Sequence, residues 1–183
     1  MIDGKVTFLA EVKTKSPFGY SSSLSFDELF NLVNIHGDIV SIHTDERWGG
    51  SFELLQKVRK LTAKPILAKG IHKTDSEINR ALSCGANFVL VVGRIPKDIS
   101  PEFLLIEPKC LAELKTISKD YKVVWNARDL ETGKPKIESF VEARNIFQGW
   151  LCQASYIKTK KDLVIGADAV LIGENLREFT SSL

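Results

Sequence analysis

Glu11, Lys13, Lys69 and Glu107 are the residues of this sequence best suited to chemistry, because each stands where a core strand would carry Val or Leu. Glu11 and Lys13 end the run Phe8-Leu9-Ala10-Glu11-Val12-Lys13, Lys69 ends Pro65-Ile66-Leu67-Ala68-Lys69, and Glu107 ends Phe103-Leu104-Leu105-Ile106-Glu107. Lysine and glutamate are almost never buried without partners, so a charge inside a buried-strand pattern requires a reason. Convergence of the strand ends on one pocket supplies it. Ammonium and carboxylate groups gathered there shift one another's pKa values and can serve acid–base chemistry.

The elements that must position these residues are short apolar runs alternating with amphipathic segments. Strands read near 6–12, 39–44, 65–69, 87–92, 103–107, 122–126, 149–153 and 168–172, and helices near 26–35, 51–61, 74–83, 109–118, 138–145, 159–164 and 174–179. Such alternation predicts a parallel sheet with both faces covered. Eight strands, with no dinucleotide glycine fingerprint after the first, point to a closed (β/α)₈ TIM barrel rather than an open doubly wound sheet. The whole chain, 1–183, reads as one domain. Barrels of this kind take about 250 residues and rarely fewer than about 200, so this one is minimal and something must be trimmed. The stretch Gly93–Glu102 carries two prolines in ten residues, which leaves room for at most a single helical turn between the fourth and fifth strands. The fifth and sixth βα units also read as short.

Side chains alternate faces along a strand with period two. Leu9, Glu11 and Lys13 therefore share a face, as do Leu67 and Lys69, Leu105 and Glu107, Val124, Asn126 and Arg128, and Leu151 and Gln153. The polar residue comes last each time, at the C-terminal strand end where barrels build their active sites. By the same parity Cys152 points away from the pocket.

Bulk properties set the limits. The 183 residues are 44% hydrophobic and 26% charged, with a mean hydropathy near zero, as befits a globular core. A net charge of +2, with no basic cluster denser than Lys158-Thr159-Lys160-Lys161, argues against nucleic acid. No apolar stretch is long enough to span a membrane, and Met1–Lys5 lacks the layout of a signal peptide. Cys84, Cys110 and Cys152 read as reduced thiols of a cytoplasmic protein without metal-ligand spacing.

The motifs together resemble the indole-3-glycerol phosphate synthases of tryptophan biosynthesis. Glu11-Val12-Lys13-Thr14-Lys15-Ser16-Pro17 is similar to the first-strand signature E-x-K-x-x-S-P. Ser41-Ile42-His43-Thr44-Asp45-Glu46, then Trp48-Gly49-Gly50-Ser51, resembles the second-strand segment. Pro65–Lys69, Leu105-Ile106-Glu107, Asn126–Thr132 and Gly166–Glu174 resemble the third, fifth, sixth and eighth, in the right order from residue 8 to about 178. The resemblance implies a metal-free, cofactor-free carboxy-lyase. Its substrate would be 1-(2-carboxyphenylamino)-1-deoxyribulose 5-phosphate, which loses carbon dioxide and water as the indole ring closes. Lys69 would be the first general acid, and Lys13 the second or the partner of the substrate carboxylate. Glu107 would be the base, and Glu11 would hold the lysines. Asn126 and Arg128 would serve the sugar and carboxylate region, Ser16 and the Gly173-Glu174 turn the phosphate, and Trp48 and Leu130 the aromatic ring. Gly49-Gly50 reads as a mobile loop able to close over a ligand. Association with other tryptophan-pathway enzymes is a further expectation of the resemblance.

Departures from the pattern cluster at the same place. The family's seventh strand ends E-S-G, which lies here against Gln153-Ala154-Ser155. Gln153 would keep the reach of the glutamate without its charge, and Ser155 would add a side chain beside the phosphate. Gly70-Ile71 replaces D-F after the lysine, and His43 replaces a pocket leucine. A lone strand-end histidine reads as a hydrogen-bonded structural residue. The family's N-terminal extension is not found ahead of the first strand. Two rival expectations remain: a silent phosphate-binding barrel, and another phosphorylated-sugar barrel enzyme such as phosphoribosylanthranilate isomerase. The second needs a Cys and Asp pair that no strand end supplies.

Overall fold

The computed structural model describes residues 6–183; Met1–Lys5, the segment read for a leader, lies outside them. Eight parallel strands close into a barrel in chain order: β1 (Thr7–Val12), β2 (Ile39–His43), β3 (Ile66–Lys69), β4 (Phe88–Val92), β5 (Leu104–Glu107), β6 (Lys122–Asn126), β7 (Leu151–Ala154) and β8 (Ala169–Ile172), with β8 pairing back onto β1. All eight expected strands are present, and the (β/α)₈ barrel is the architecture. The outer helices are α1 (Phe26–His36), α2 (Phe52–Arg59), α3 (Asp75–Ser83), α4 (Leu111–Leu114), α5 (Phe140–Ile146) and α6 (Leu176–Thr180). Local sequence starts them: Ser25 with Glu28, Thr74 with Glu77 and Ser139 with Glu142 form reciprocal capping boxes at α1, α3 and α5. Among the described residues no helix is long and apolar enough to cross a membrane.

The trimming is as expected between β4 and β5, where a single 3₁₀ turn at Pro101–Phe103 replaces the crossover helix. Two helix expectations need correction. The segment expected over 109–118 is one turn, α4, and that over 159–164 is only a 3₁₀ turn at Lys160–Asp162. In the latter the Asp162 carboxylate accepts from the N–H groups of Lys158 and Thr159, at 2.9 and 2.8 Å, which closes the turn on itself. Full-length helices therefore cover one wall of the barrel, while one-turn pieces cover much of the other.

The core is layered as the strand period requires. Outward side chains such as Phe8, Val40, Ile66, Val89, Ile106, Val123 and Val170 pack under the helices. A smaller set, Leu9, Leu67, Leu90, Leu105, Val124, Cys152, Ala154, Ala169 and Leu171, fills the barrel interior below the mouth. Leu9 beneath Glu11, Leu67 beneath Lys69 and Leu105 beneath Glu107 follow the expected parity. β7 does not. Cys152 and Ala154 face inward, Cys152 being registered with Val124 of the interior layer. Gln153 faces outward, where its amide donates to Asp162 O at 2.9 Å and accepts from Val164 N at 2.9 Å. The reason is the absent seventh crossover helix: the irregular chain there exposes backbone groups that need partners, and Gln153 supplies both.

Candidate active site

At the C-terminal end of the barrel the inward chain ends supply Lys13, His43, Lys69, Glu107 and Asn126. Glu11 sits one layer deeper, 1% exposed. Lys69 Nζ donates to Glu11 Oε2 at 2.7 Å. Burial alone would raise the Glu11 carboxyl, but the ammonium groups of Lys69 and Lys13 overcome it and hold it at about 2. Gly173, at the end of β8, lies so close that a Cβ there would stand 2.5 Å from Glu11 Oε2. Only glycine lets the strand end approach the carboxylate.

Burial lowers the pKa of Lys13, and Lys69 adds to the effect against the pull of Glu11 and Glu174. Across the mouth, burial raises the Glu107 carboxyl despite Lys69 and the hydrogen bond it receives from Asn126 Nδ2 at 2.9 Å. Asn126 is itself fixed, its Oδ1 accepting from Ser155 Oγ at 2.7 Å and from Arg128 N at 3.0 Å. A base pushed up and an acid pushed down, in one cavity, are the usual ingredients of proton transfer near neutrality.

The cavity has two lobes. One, of about 30 Å³, lies between Lys13, Arg128, Ser155-Tyr156 and Gly173-Glu174. The other, of about 40 Å³, is lined by Lys69, His43, Trp48, Glu107, Asn126 and Leu130; Lys13, Lys69, Arg128 and Ser155 belong to both. From Glu107 and Leu130 a wider cavity of about 480 Å³ continues outward between the loops after β3 to β6.

The structure gathers Glu11, Lys13, Lys69, Glu107, Asn126, Arg128, Leu130, Ser155, Gly173 and Glu174 around these lobes. Other expected residues stand elsewhere or act differently. Gln153 lines neither lobe, and Ala154 holds the inward position at the end of β7. Read by facing, the family's inward glutamate of E-S-G would lie against Ala154 rather than Gln153, with Ser155 in the place of the serine. Ser155 and Tyr156 both have positive φ, 69° and 56°, and for a tyrosine that is uncommon. Ser16 accepts from Phe18 N at 3.1 Å and holds the β1–α1 loop rather than lining either lobe. Trp48 lines the larger lobe, but His43 lies flat on its ring at 4.9 Å and the Arg47 guanidinium also sits over it at 4.9 Å, which leaves little open face for a ligand. Gly49-Gly50 is packed rather than loose: a Cβ on Gly50 would meet His43 O at 1.7 Å. Glu174 is no bystander of the phosphate turn. Its carboxylate pairs with Lys13 at 3.0 Å and takes both arms of Arg128 at 2.8 and 2.7 Å. Sequence reasoning passed over Phe18 and Tyr156, whose rings flank Arg128 at 5.8 and 5.2 Å; no residue pattern announces loops that fold over the mouth.

Fold and site together define a (β/α)₈ barrel with two lysines and two glutamates gathered at its C-terminal mouth. A family model described as indole-3-glycerol phosphate synthase matches residues 2–182. The chain belongs to the indole-3-glycerol phosphate synthase family. It is 28% identical over 197 residues to the indole-3-glycerol phosphate synthase of Sulfurisphaera tokodaii, covering 94% of this chain and 78% of that one. Over 205 residues it is 30% identical to the Petrotoga mobilis synthase (94% and 79% covered). Over 199 residues it is 31% identical to that of Caldanaerobacter subterraneus (94% and 76%). The crystal structure of a 3-hexulose-6-phosphate synthase superposes with a TM-score of 0.66, covering 98% of this chain and 99% of that one, but at 15% identity it shares the fold alone.

Proposed function

We propose that this chain is an indole-3-glycerol phosphate synthase, converting 1-(2-carboxyphenylamino)-1-deoxyribulose 5-phosphate to the indole with loss of carbon dioxide and water. The observation that supports it is the meeting of Lys13, Lys69, Glu107 and Asn126 on one cavity, in a chain of that family. In this reading Lys69, oriented by Glu11, donates its proton to the carbonyl oxygen as the ring carbon attacks the carbonyl carbon. Carbon dioxide then leaves. Lys13, whose lowered pKa makes it a willing donor, assists departure of hydroxide or pairs with the substrate carboxylate before that step. Glu107, with its raised pKa, takes the proton released as the ring aromatises. The smaller lobe, bounded by the turns at Ser155–Ile157 and Gly173–Asn175, receives the phosphate through backbone N–H donors, and Leu130 with the cavity beyond it receives the aromatic ring.

A silent phosphate-binding barrel is the second reading. Two observations favour it: Ala154 stands at the inward end of β7 where the family pattern carries glutamate, and Glu174 already pairs with both Lys13 and Arg128. Incubation with the phosphorylated ribulose, followed by indole fluorescence, separates the two. The synthase reading expects product from the native chain and a loss of about 10²-fold or more in Lys69→Ala. Binding without product would support the silent barrel, and undiminished turnover by Lys69→Ala would remove the proposed mechanism.

A further inference from the structure

His43 is the inward residue at the end of β2, and its Cα is the register partner of Lys69. The hydrogen-bonded structural role expected of it is not what the ring has. His43 is 5% exposed, and its Nδ1 is enclosed with no hydrogen-bond partner among the described residues. Its ring is stacked on Trp48 with 2° between the planes, which fixes where its edge points. The same ring lines the larger lobe together with Lys69, Glu107 and Asn126. Burial, reinforced by Lys69 and Lys13 against Glu11, holds its pKa at about 3, so the imidazole is neutral and carries one N–H and one lone pair. An enclosed, unpartnered polar atom is costly, and a stacked ring cannot turn away to find a partner. Nδ1 is thus unpaired and also closed off from the lobe, so the edge of the ring that can meet a ligand atom beside Lys69 is Nε2, which is not among the enclosed atoms.

We propose that His43 is a substrate-contacting residue, its imidazole hydrogen-bonding the ketose oxygen that Lys69 protonates. The inference rests on the synthase reading and adds a second contact at the reacting oxygen. A neutral N–H beside an ammonium stabilises the oxygen as negative charge develops on it, and it does so without bringing a further charge into the site. It also selects for a ligand that bears an oxygen at this point, since a substrate lacking one leaves the imidazole unpaired.

The test is His43→Leu, which removes both nitrogens and keeps an apolar side chain of similar length, with His43→Gln restoring one amide donor. Each is assayed for turnover of the phosphorylated ribulose, for calorimetric binding of that compound, and for thermal midpoint. If the native chain turns over, the expected result for His43→Leu is a loss of about tenfold or more in kcat/KM, with partial recovery in His43→Gln. Its midpoint should stay unchanged or rise, because the unpaired nitrogen is gone. A packing role predicts the opposite pairing, a lowered midpoint with unaltered kinetics. Unaltered kcat/KM in His43→Leu overturns the inference while the synthase reading stands. If the native chain binds without turnover, the synthase reading fails, and binding weakened about tenfold in His43→Leu still supports the contact, whereas equal binding overturns it. If the native chain neither binds nor converts the compound, both fall.

Discussion

Glu11 is the sharpest lever on the site, since its carboxylate is wholly enclosed yet held ionised. Replacing it by glutamine keeps the shape and removes the charge. A carboxyl with a pKa of about 2 in the folded chain against 4.5 when unconstrained contributes about 3 kcal/mol of stability near neutrality, at 1.36 kcal/mol for each unit of pKa. The sign follows from the direction of the shift. A depressed carboxyl stabilises the fold above its unfolded pKa, and that contribution fades as the pH falls from about 4.5 through about 2. At about pH 3 roughly half of it is left. Glu11→Gln should therefore cost about 3 kcal/mol at about pH 7 and only about half that at about pH 3. The penalty at neutral pH also includes whatever it costs to strand Lys69 without its anion. Urea unfolding followed by tryptophan fluorescence at the two pH values measures both numbers. An equal penalty at both, or a neutral-pH penalty below about 1 kcal/mol, the range of exposed ion pairs, would refute the argument that buried lysines hold this carboxylate.

Glu107 should behave in the opposite sense. Burial raises its pKa, so ionisation destabilises the fold as the pH rises through that value, and Glu107→Gln should unfold at higher urea near neutrality while losing turnover by about 10²-fold or more. In the native chain kcat/KM should fall on the acid side through a pKa above the ordinary carboxylate range, a limb that Glu107→Gln would not show. Gln153 offers a check on the β7 register: Gln153→Ala should destabilise by about 1–3 kcal/mol, since Val164 N loses its partner, with kcat/KM unchanged. A large fall in turnover without a change in stability would mean that Gln153 faces the mouth.

Much of this was legible in the sequence, for a physical reason. A buried parallel strand is a short apolar run, and eight of them between amphipathic segments leave few topologies. Glu11, Lys69, Glu107 and Asn126 stood out because a charge or amide in such a run violates its pattern. β7 was misread because both of its faces end in a small or polar residue, so alternation alone could not choose between Gln153 and Ala154. The barrel interior favours the small pair Cys152 and Ala154, a packing preference visible only once β6 and β8 lie alongside. The ion pairs of Glu174 were equally hidden, since long side chains reach across loops whose paths the residues do not state. His43 was seen but given the wrong company: whether a histidine finds a hydrogen bond depends on neighbours from other strands.

The uneven coating of helices has a mechanical consequence. Lys13, Lys69 and Glu11 hang from β1 and β3, in the part of the barrel where α1, α2 and α3 follow the strands, whereas Glu107 and Asn126 hang from β5 and β6, flanked by the 3₁₀ turn at Pro101–Phe103 and the four residues of α4. Under the proposed mechanism the two lysine acids thus stand on the more fully covered half of the cylinder and the base on the more thinly covered half. Thin cover predicts that amide hydrogen exchange is faster along β5 and β6 than along β1, and that a ligand touching both Lys69 and Glu107 slows it.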